Sequence, residues 1–412
     1  MAKVLHSRIQ TREEVLGEEQ AGFRAERGTT DQIFTLSQIA EKMWEYNKDL
    51  FCIFIDFRQA FDSVWRKGMI QVMKHFGFEE GIVNVIDRLY KDTKVSVKKG
   101  SIKTDSFTTE RGIIQGCPLS PHLFNIFLEK IMQEALADYP GGVRIAGEII
   151  NNLRYADDII LVGETEEEVK QMLDAMEEVC RKYKLEINVD KTKVMKIGRS
   201  EGEMQINLGN ELLEEVTAFK YLGFHFTNNM DNYKPIQERI KLGHAAMKRL
   251  KNIWKASRIT TQLKLKLFNT IVIPTVLYGA ECWILNLKEQ RKLLAFEMYG
   301  LRRILKIRWQ DRVTNEEVRR RAELERTILE RVQDAHLRWL GHVERMEEQR
   351  LPKKVFYGKI NGTRPRGRPK TTWMKTMKTR NANTHWGELL RMARDRHEWR
   401  RYRQAQRDPT RQ

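Results

Sequence analysis

Cysteine is scarce in this chain. Four residues, Cys52, Cys117, Cys180 and Cys282, are scattered through 412 positions. No two form a CxxC pair and no histidine stands beside one at ligand spacing, which excludes a zinc site built on them. In a chain this long, without a secretory leader, they predict buried free thiols. Long apolar runs are also lacking. The longest, around Ile271 to Tyr278, falls far short of the roughly 20 residues a membrane span needs. The opening Met-Ala-Lys-Val-Leu-His-Ser-Arg has no apolar stretch of signal-peptide type. A soluble, intracellular protein with no membrane partner is expected. Internal repeats are absent, and 41% hydrophobic residues is too many for a disordered chain.

Negative charge is outweighed more than twofold in the last quarter of the sequence. Residues 301–412 hold 31 Lys and Arg against 14 Asp and Glu, which accounts for +17 of the net +18. Residues 1–300 are therefore nearly neutral. A segregated basic excess marks contact with a polyanion, most often nucleic acid.

Periodicity divides the chain into an α+β body, 1 to about 230, and a helical region after it. Asp31 to Tyr46 carries Ile33, Leu36, Ile39, Met43 and Trp44 near one helical face. Phe51-Cys-Ile-Phe-Ile-Asp56 is a continuous apolar run closed by a carboxylate, the pattern of a buried strand. Residues 66–90 read as helical, 94–109 as a hairpin around Gly100, and Pro121 to Asp138 as a helix opened by proline. Residues 149–162 read as two strands with a polar tip. Glu164 to Lys184 is a helix with an acidic first turn, which suits its dipole. Short strands follow near 193–197, 204–208 and 221–226. Helical spacing then covers 232–256, 260–283, 287–306 and 314–346. A break rich in Pro, Gly and basic residues spans 352–371, before a last basic helix over 384–404.

Three acids stand out. Asp56 closes the apolar strand, and Asp157-Asp158 lie between the apolar arms of Leu153-Arg-Tyr-Ala-Asp-Asp-Ile-Ile-Leu-Val162. Adjacent carboxylates at a hairpin tip repel each other unless a cation neutralises them, and hard divalent ions prefer such oxygens. If the Asp56 strand pairs beside the hairpin, the three converge on a site for two ions, the arrangement used in phosphoryl transfer. By themselves, Asp157-Asp158 read more simply as an ordinary exposed turn and Asp56 as a strand-end cap.

The blocks around these acids carry a family resemblance. They are Gln20-Ala-Gly-Phe-Arg-Ala-Glu-Arg-Gly-Thr-Thr-Asp-Gln-Ile33, Phe54-Ile-Asp-Phe-Arg-Gln-Ala-Phe-Asp-Ser-Val64, Arg111-Gly-Ile-Ile-Gln-Gly-Cys-Pro-Leu-Ser-Pro-His-Leu-Phe-Asn125, Tyr155-Ala-Asp-Asp158, Leu185-Glu-Ile-Asn-Val-Asp-Lys-Thr-Lys193 and Phe219-Lys-Tyr-Leu-Gly-Phe224. In that order they resemble a finger block and motifs A to E of the reverse transcriptases of non-LTR (LINE-type) retrotransposons. Tyr278-Gly-Ala-Glu-Cys-Trp283, Arg302-Arg-Ile-Leu305 and Arg338-Trp-Leu-Gly-His-Val343 resemble the thumb and C-terminal region of such elements.

The resemblance implies a right-hand polymerase: fingers and palm over 1–230, a helical thumb over 231–310, and a basic helical region over 311–412. The activity it implies is RNA-directed DNA polymerase, adding dNTPs to a DNA primer on an RNA template. Asp56, Asp157 and Asp158 are then the metal-binding carboxylates, for Mg²⁺ or Mn²⁺. Lys191 matches a lysine that serves pyrophosphate departure as an acid. Arg24, Phe57, Phe61, Gln115 and Gly116 fall at nucleotide-contacting positions, Phe61 as the side chain that blocks a ribose 2′-OH. Leu222 and Gly223 fall in the primer grip. Pro365-Arg-Gly-Arg-Pro-Lys370 matches an AT-hook core, whose arginines can lie in the narrow minor groove of A/T-rich DNA, so Arg364, Arg366, Arg368 and Lys370 are expected on nucleic acid, with sequence preference left open. The implied partner places the protein in the nucleus.

Departures from the family pattern are also expected to matter. No endonuclease domain precedes the polymerase blocks, and the fingers are expected to be shortened at the N-terminus. Lys184 stands in motif D where the family often has glycine. These gaps leave open a second reading, a catalytically impaired retroelement-derived protein that binds nucleic acid.

Overall fold

Five strands form the sheet around which the first half of the chain is built. The computed structural model describes residues 2–91, 93–231, 233–366 and 370–407. They fall into two compact units, Met1–Leu222 with Lys354–Pro365, and Gly223–Lys353 with Arg366–Gln412.

In the first unit the strand order is Asn152–Tyr155, Asp158–Gly163, Leu50–Ile55, Lys193–Ile197 and Glu214–Glu215. The first four pair antiparallel, and only the short edge strand Glu214–Glu215 runs parallel to its neighbour. Leu50–Ile55 is central and buried along almost its whole length, which explains its unbroken apolar sequence. Its register sets Cys52 opposite Val162 and Ile55 opposite Ile159.

Two helices, Ser120–Leu136 and Glu166–Lys182, bury their apolar faces in the core of this unit. The second buries Val169, Met172, Leu173, Met176 and Cys180, a stripe at helical spacing. Its start is fixed by Thr165, whose side chain accepts from the Glu168 amide, and by three glutamates in the first turn. Cys52, Cys180 and Cys282 are buried and all four thiols are free, as their scatter implied.

The 66–90 stretch is two helices, Arg66–His75 and Glu80–Tyr90. Gly77, at φ 69, turns the chain between them, and its amide and that of Phe78 return to the carbonyls of Lys74 and Met73. The expected hairpin over 94–109 is present, with Lys94–Val95 paired to Phe107–Thr108 and Lys98–Lys99 to Ile102–Lys103.

The 352–371 break reads differently in three dimensions. Leu351–Tyr357 is helical, and residues 354–365 belong to the first unit. Ile360 bridges to Ile145, the Ala146 amide donates to the Lys359 carbonyl at 3.1 Å, and the Phe356 ring lies 6.1 Å from Phe34. A run that looks like a polar linker is held because Val355, Phe356 and Ile360 bury their side chains.

The second unit is helical, as its periodicity predicted. Tyr233–Arg249, Leu287–Leu305 and Ile328–Glu344 are its long helices. Capping boxes start the last two, Asn286 with Glu289 and Thr327 with Glu330. Four longer expectations are subdivided, 232–256 among them, into Tyr233–Arg249 and Lys251–Lys255. A π-helical turn, Phe268–Val272, and Pro274 interrupt 260–283. Asn315–Arg321 is separate from Ile328–Glu344. Asp395 separates Trp386–Arg394 from Arg396–Arg407. Trp283, Phe268, Trp373 and His336 are fully or almost fully buried at its centre.

Candidate active site

The strand register brings the three carboxylates together. Asp56 directly follows Ile55, which pairs with Ile159, so the next pair in the antiparallel ladder is Asp56 and Asp158. Asp158 in turn closes the hairpin opposite Tyr155, leaving Ala156 and Asp157 as the two turn residues. Ala156 is left-handed at φ 57. A non-glycine residue there costs about 1 kcal/mol and persists only when its surroundings hold it.

The electrostatics record the crowding. The Asp158 carboxyl is raised to about 6, by loss of water around it and then by the charges of Asp157 and Asp56. Asp157 is raised too, chiefly by burial and secondarily by Asp56. Both shifts say that this corner tolerates added negative charge poorly and would gain from a cation. Among the described residues, no three His, Cys, Asp or Glu side chains are gathered tightly enough to enclose an ion as they stand. The donor set, carboxylate oxygens only, nonetheless has the chemistry of a hard divalent ion, and the raised Asp158 supplies the electrostatic demand.

The segment after the Glu166–Lys182 helix wraps the end of the Asp56 strand. The Asn188 amide donates to the Asp56 carbonyl at 2.8 Å, and the Asp56 amide donates to the Thr192 hydroxyl at 3.3 Å. Asn188 Nδ2 lies 3.4 Å from Asp56 Oδ2. The Lys191 ammonium is likewise 3.4 Å from that oxygen, on a side chain 66% exposed. Lys191 thus reaches the acidic corner from the solvent side.

The remaining candidate positions separate into those at the site and those turned away. Phe61 is half-buried, with its ring stacked on Phe124 at 4.6 Å. Gln115 is exposed and donates to Asp62 at 3.1 Å. Gly116 has φ 79 and open space where a side chain would stand. Phe57 differs from expectation: it is 5% exposed and its side chain packs in the core. Arg24 differs as well. Its side chain is 7% exposed and its guanidinium donates to the carbonyls of Gly17 and Gln20 at 2.8 and 3.1 Å. Loop carbonyls take up its donors, and only the fold could reveal that.

Leu222 has φ 47 and ends the first unit. Before it, Tyr221 is buried and its hydroxyl is raised well above the ordinary value, by burial and then by the charge of Asp158. In the second unit Gly223, at φ 77, accepts a hydrogen bond from the Arg239 guanidinium, which stacks 4.2 Å over the Tyr278 ring. Of the basic arm, Arg364 pairs with Glu45 at 2.7 Å, Arg366 is exposed, and Lys370 donates to the Asn229 carbonyl at 2.8 Å. Arg368 lies outside the described residues.

Two residues at the site escape sequence reading. Tyr221 looks like one more alternating strand residue. Gln20 looks like a polar loop residue, yet it is 1% exposed and bonded to the turn of the hairpin that carries Asp157 and Asp158. The neighbouring Gly22 was the available signal, since a glycine in a loop often marks close backbone approach.

Residues 1–226 match the reverse transcriptase (RNA-dependent DNA polymerase) family. The chain is 27% identical over 273 residues to a retrovirus-related Pol polyprotein from the type-1 retrotransposable element R2 of Popillia japonica, covering 64% of this chain and 37% of that protein. It is 24% identical over 300 residues to the RNA-directed DNA polymerase from mobile element jockey of Drosophila funebris, covering 69% and 31%. A transposon-derived protein of Caenorhabditis elegans is 28% identical over 273 residues, 62% of this chain and 96% of that one. This chain thus spans about a third of the length of the R2 and jockey proteins it matches. Among solved structures, the apo telomerase of Candida tropicalis aligns with a TM-score of 0.42 at 13% identity, over 87% of this chain and 61% of that one.

Proposed function

Because the chain belongs to the reverse transcriptase (RNA-dependent DNA polymerase) family, with relatives among the non-LTR retrotransposons, we propose that it copies RNA into DNA by extending a primer 3′ end. In this reading the α+β unit with its mainly antiparallel sheet is the palm of a right-hand polymerase. The observation that carries the functional reading is the ladder that puts Asp56 beside Asp157-Asp158 at one end of two central strands.

Asp56, Asp157 and Asp158 are the residues that would hold Mg²⁺ or Mn²⁺. When bound, such ions supply positive charge to an ionising primer hydroxyl and to departing pyrophosphate. The chain's own residues do the rest. Lys191 holds a proton within reach of the same corner, where a leaving pyrophosphate gathers charge. Phe61, braced by Phe124, limits the space open to a ribose 2′ substituent. Gln115 and Gly116 offer an amide and an unobstructed backbone to the incoming dNTP.

Fingers and palm are assigned to 1–230, the thumb to 231–310 and a basic helical region to 311–412, with Leu222 and Gly223 at the primer grip. Template RNA and DNA primer are the partners, and the exposed cations of the last quarter, Arg366 among them, are their backbone contacts. A/T-rich DNA and a nuclear location follow from the same reading. No helix among the described residues is long and apolar enough to cross a membrane.

The test is primer extension. Purified protein with Mg²⁺ should extend a DNA primer on an RNA template, and Asp157→Asn should abolish extension while leaving template binding in place. Salt-sensitive binding without extension by the unmutated chain would instead identify a nucleic-acid-binding protein.

A further inference from the structure

Residues 17–22 lie flat against the catalytic hairpin. Gln20 bridges in parallel to Arg154, the Ala21 amide donates to the Arg154 carbonyl at 2.9 Å, and the Arg154 amide donates to the Glu19 carbonyl at 2.9 Å. The approach is so close that a β-carbon on Gly22 would stand 2.3 Å from the Ala156 nitrogen. Asn125 Nδ2, on the Ser120–Leu136 helix, donates to the Gly22 carbonyl at 2.7 Å and pins the loop from behind.

The Gln20 side chain enters this interface. Its Oε1 accepts from the amides of Ala156 and Gly22, each at 2.8 Å, and its Nε2 lies 3.4 Å from the Ala156 carbonyl. One carboxamide therefore serves both backbone groups of the residue whose left-handed conformation starts the turn. Ala156 is itself 3% exposed, so water is not at hand to replace these bonds. The next two residues are Asp157 and Asp158.

We propose that Gln20 is a positioning residue for the catalytic carboxylates: its buried carboxamide holds Ala156 in the left-handed turn and so fixes where Asp157 and Asp158 point. This rests on the polymerase reading above. The chemistry explains why glutamine is suited to the position. An isosteric carboxylate accepts but cannot donate to the Ala156 carbonyl, and it adds charge to a corner where Asp158 is already difficult to ionise. Asparagine is one methylene too short. An apolar side chain leaves both Ala156 groups without a partner.

The experiment compares the full chain with Gln20→Leu, Gln20→Glu, and Gln20→Leu combined with Ala156→Gly, each at a temperature where a thermal melt shows it folded. Primer extension is measured with kcat and KM separated, and hydrogen exchange is followed at the 153–158 hairpin. A misplacement near 1 Å is enough for about a hundredfold loss of rate, so Gln20→Leu and Gln20→Glu should each lower kcat by roughly tenfold to a hundredfold, with KM for dNTP within about twofold. Exchange at the Ala156 amide should accelerate in both. Glycine takes the left-handed conformation without strain, so Ala156→Gly should restore part of the kcat lost in Gln20→Leu.

Wild-type kcat in both single variants, or unchanged exchange at Ala156, would overturn the assignment. So would a loss that Ala156→Gly leaves untouched, because the effect would then be loss of packing alone. If the unmutated chain extends no primer, it is the polymerase reading that fails. The clamp itself is then decided by the exchange measurement, which needs no activity.

Discussion

The ammonium of Lys184 stands 4.6 Å from the ring centre of Trp65, while the Lys184 backbone is left-handed at φ 60. A left-handed backbone is the conformation that glycine adopts without strain. Lysine is tolerated because the cation over the indole offsets part of the backbone cost.

Opposite orders of stability follow for two small residues here. Lys184→Gly removes both the strain and the ring contact, and should leave stability within about 0.5 kcal/mol of the original. Lys184→Ala keeps the strain and loses the contact, and should cost about 1 kcal/mol. Urea midpoints would check this. Alanine proving more stable than glycine would mean that the left-handed backbone is not what governs the site.

The raised Asp158 sets a pH window. Its carboxyl, ordinarily near 3.8, is pushed up to about 6, and Asp157 moves the same way. A raised folded value means that the contribution to stability is complete below the ordinary value and is lost as pH rises through about 6. A divalent cation binds the ionised form and should reverse that loss. The rise in Tm on adding Mg²⁺ should therefore be small at pH 5, grow toward pH 6.5 and then level off. The same scan on Asp158→Asn should show a much weaker pH dependence. An equal rise at pH 5 and pH 7 would contradict the raised value.

Beneath the hairpin, Arg154 Nη1 meets Glu129 Oε2 at 3.0 Å, with both side chains 4% exposed. Glu19 reaches the same guanidinium at 3.4 Å. Removing one partner of a buried pair leaves an uncompensated charge, so Glu129→Ala should cost about 3–5 kcal/mol. Replacing both, Glu129→Leu with Arg154→Met, should recover much of it. Chemical denaturation of the two variants would decide. A Glu129→Ala loss below 1 kcal/mol would show that Glu19 and water suffice.

The basic arm calls for charge changes in preference to truncation, because cutting at 352 would remove the Val355, Phe356 and Ile360 side chains from the first unit's core. Arg366→Ala with Lys370→Ala leaves that packing intact. If both cations contact phosphate, the slope of log binding constant against log salt should fall in magnitude by roughly 2. Binding titrations over a range of salt would measure it. An unchanged slope would assign the polyanion surface to other cations of the last quarter.

The acids of the site were legible because chemistry leaves a local mark. A charge at the end of Phe51-Cys-Ile-Phe-Ile-Asp56, or between the arms of the 153–162 hairpin, conflicts with its apolar surroundings and needs a reason. Strand and helix types followed from side-chain period. Their ends were less legible, since Gly77 and Asp395 break helices at places where the apolar stripe continues. The inward turn of Arg24 left no mark, because an arginine bonded to carbonyls and one facing a nucleotide look alike in a sequence.

By itself, then, the sequence determined the α+β body, the helical remainder and the segregated positive charge, and it singled out three carboxylates as candidates. These depend on pattern and composition along the chain. Only the tertiary structure decided that Asp56 lies beside Asp158, that residues 354–365 return to the first unit, and that Gln20 closes the turn ahead of Asp157. Each of these is a contact between residues distant in sequence, fixed by strand register and by the need to pair buried backbone groups. Local pattern carries no record of such partners.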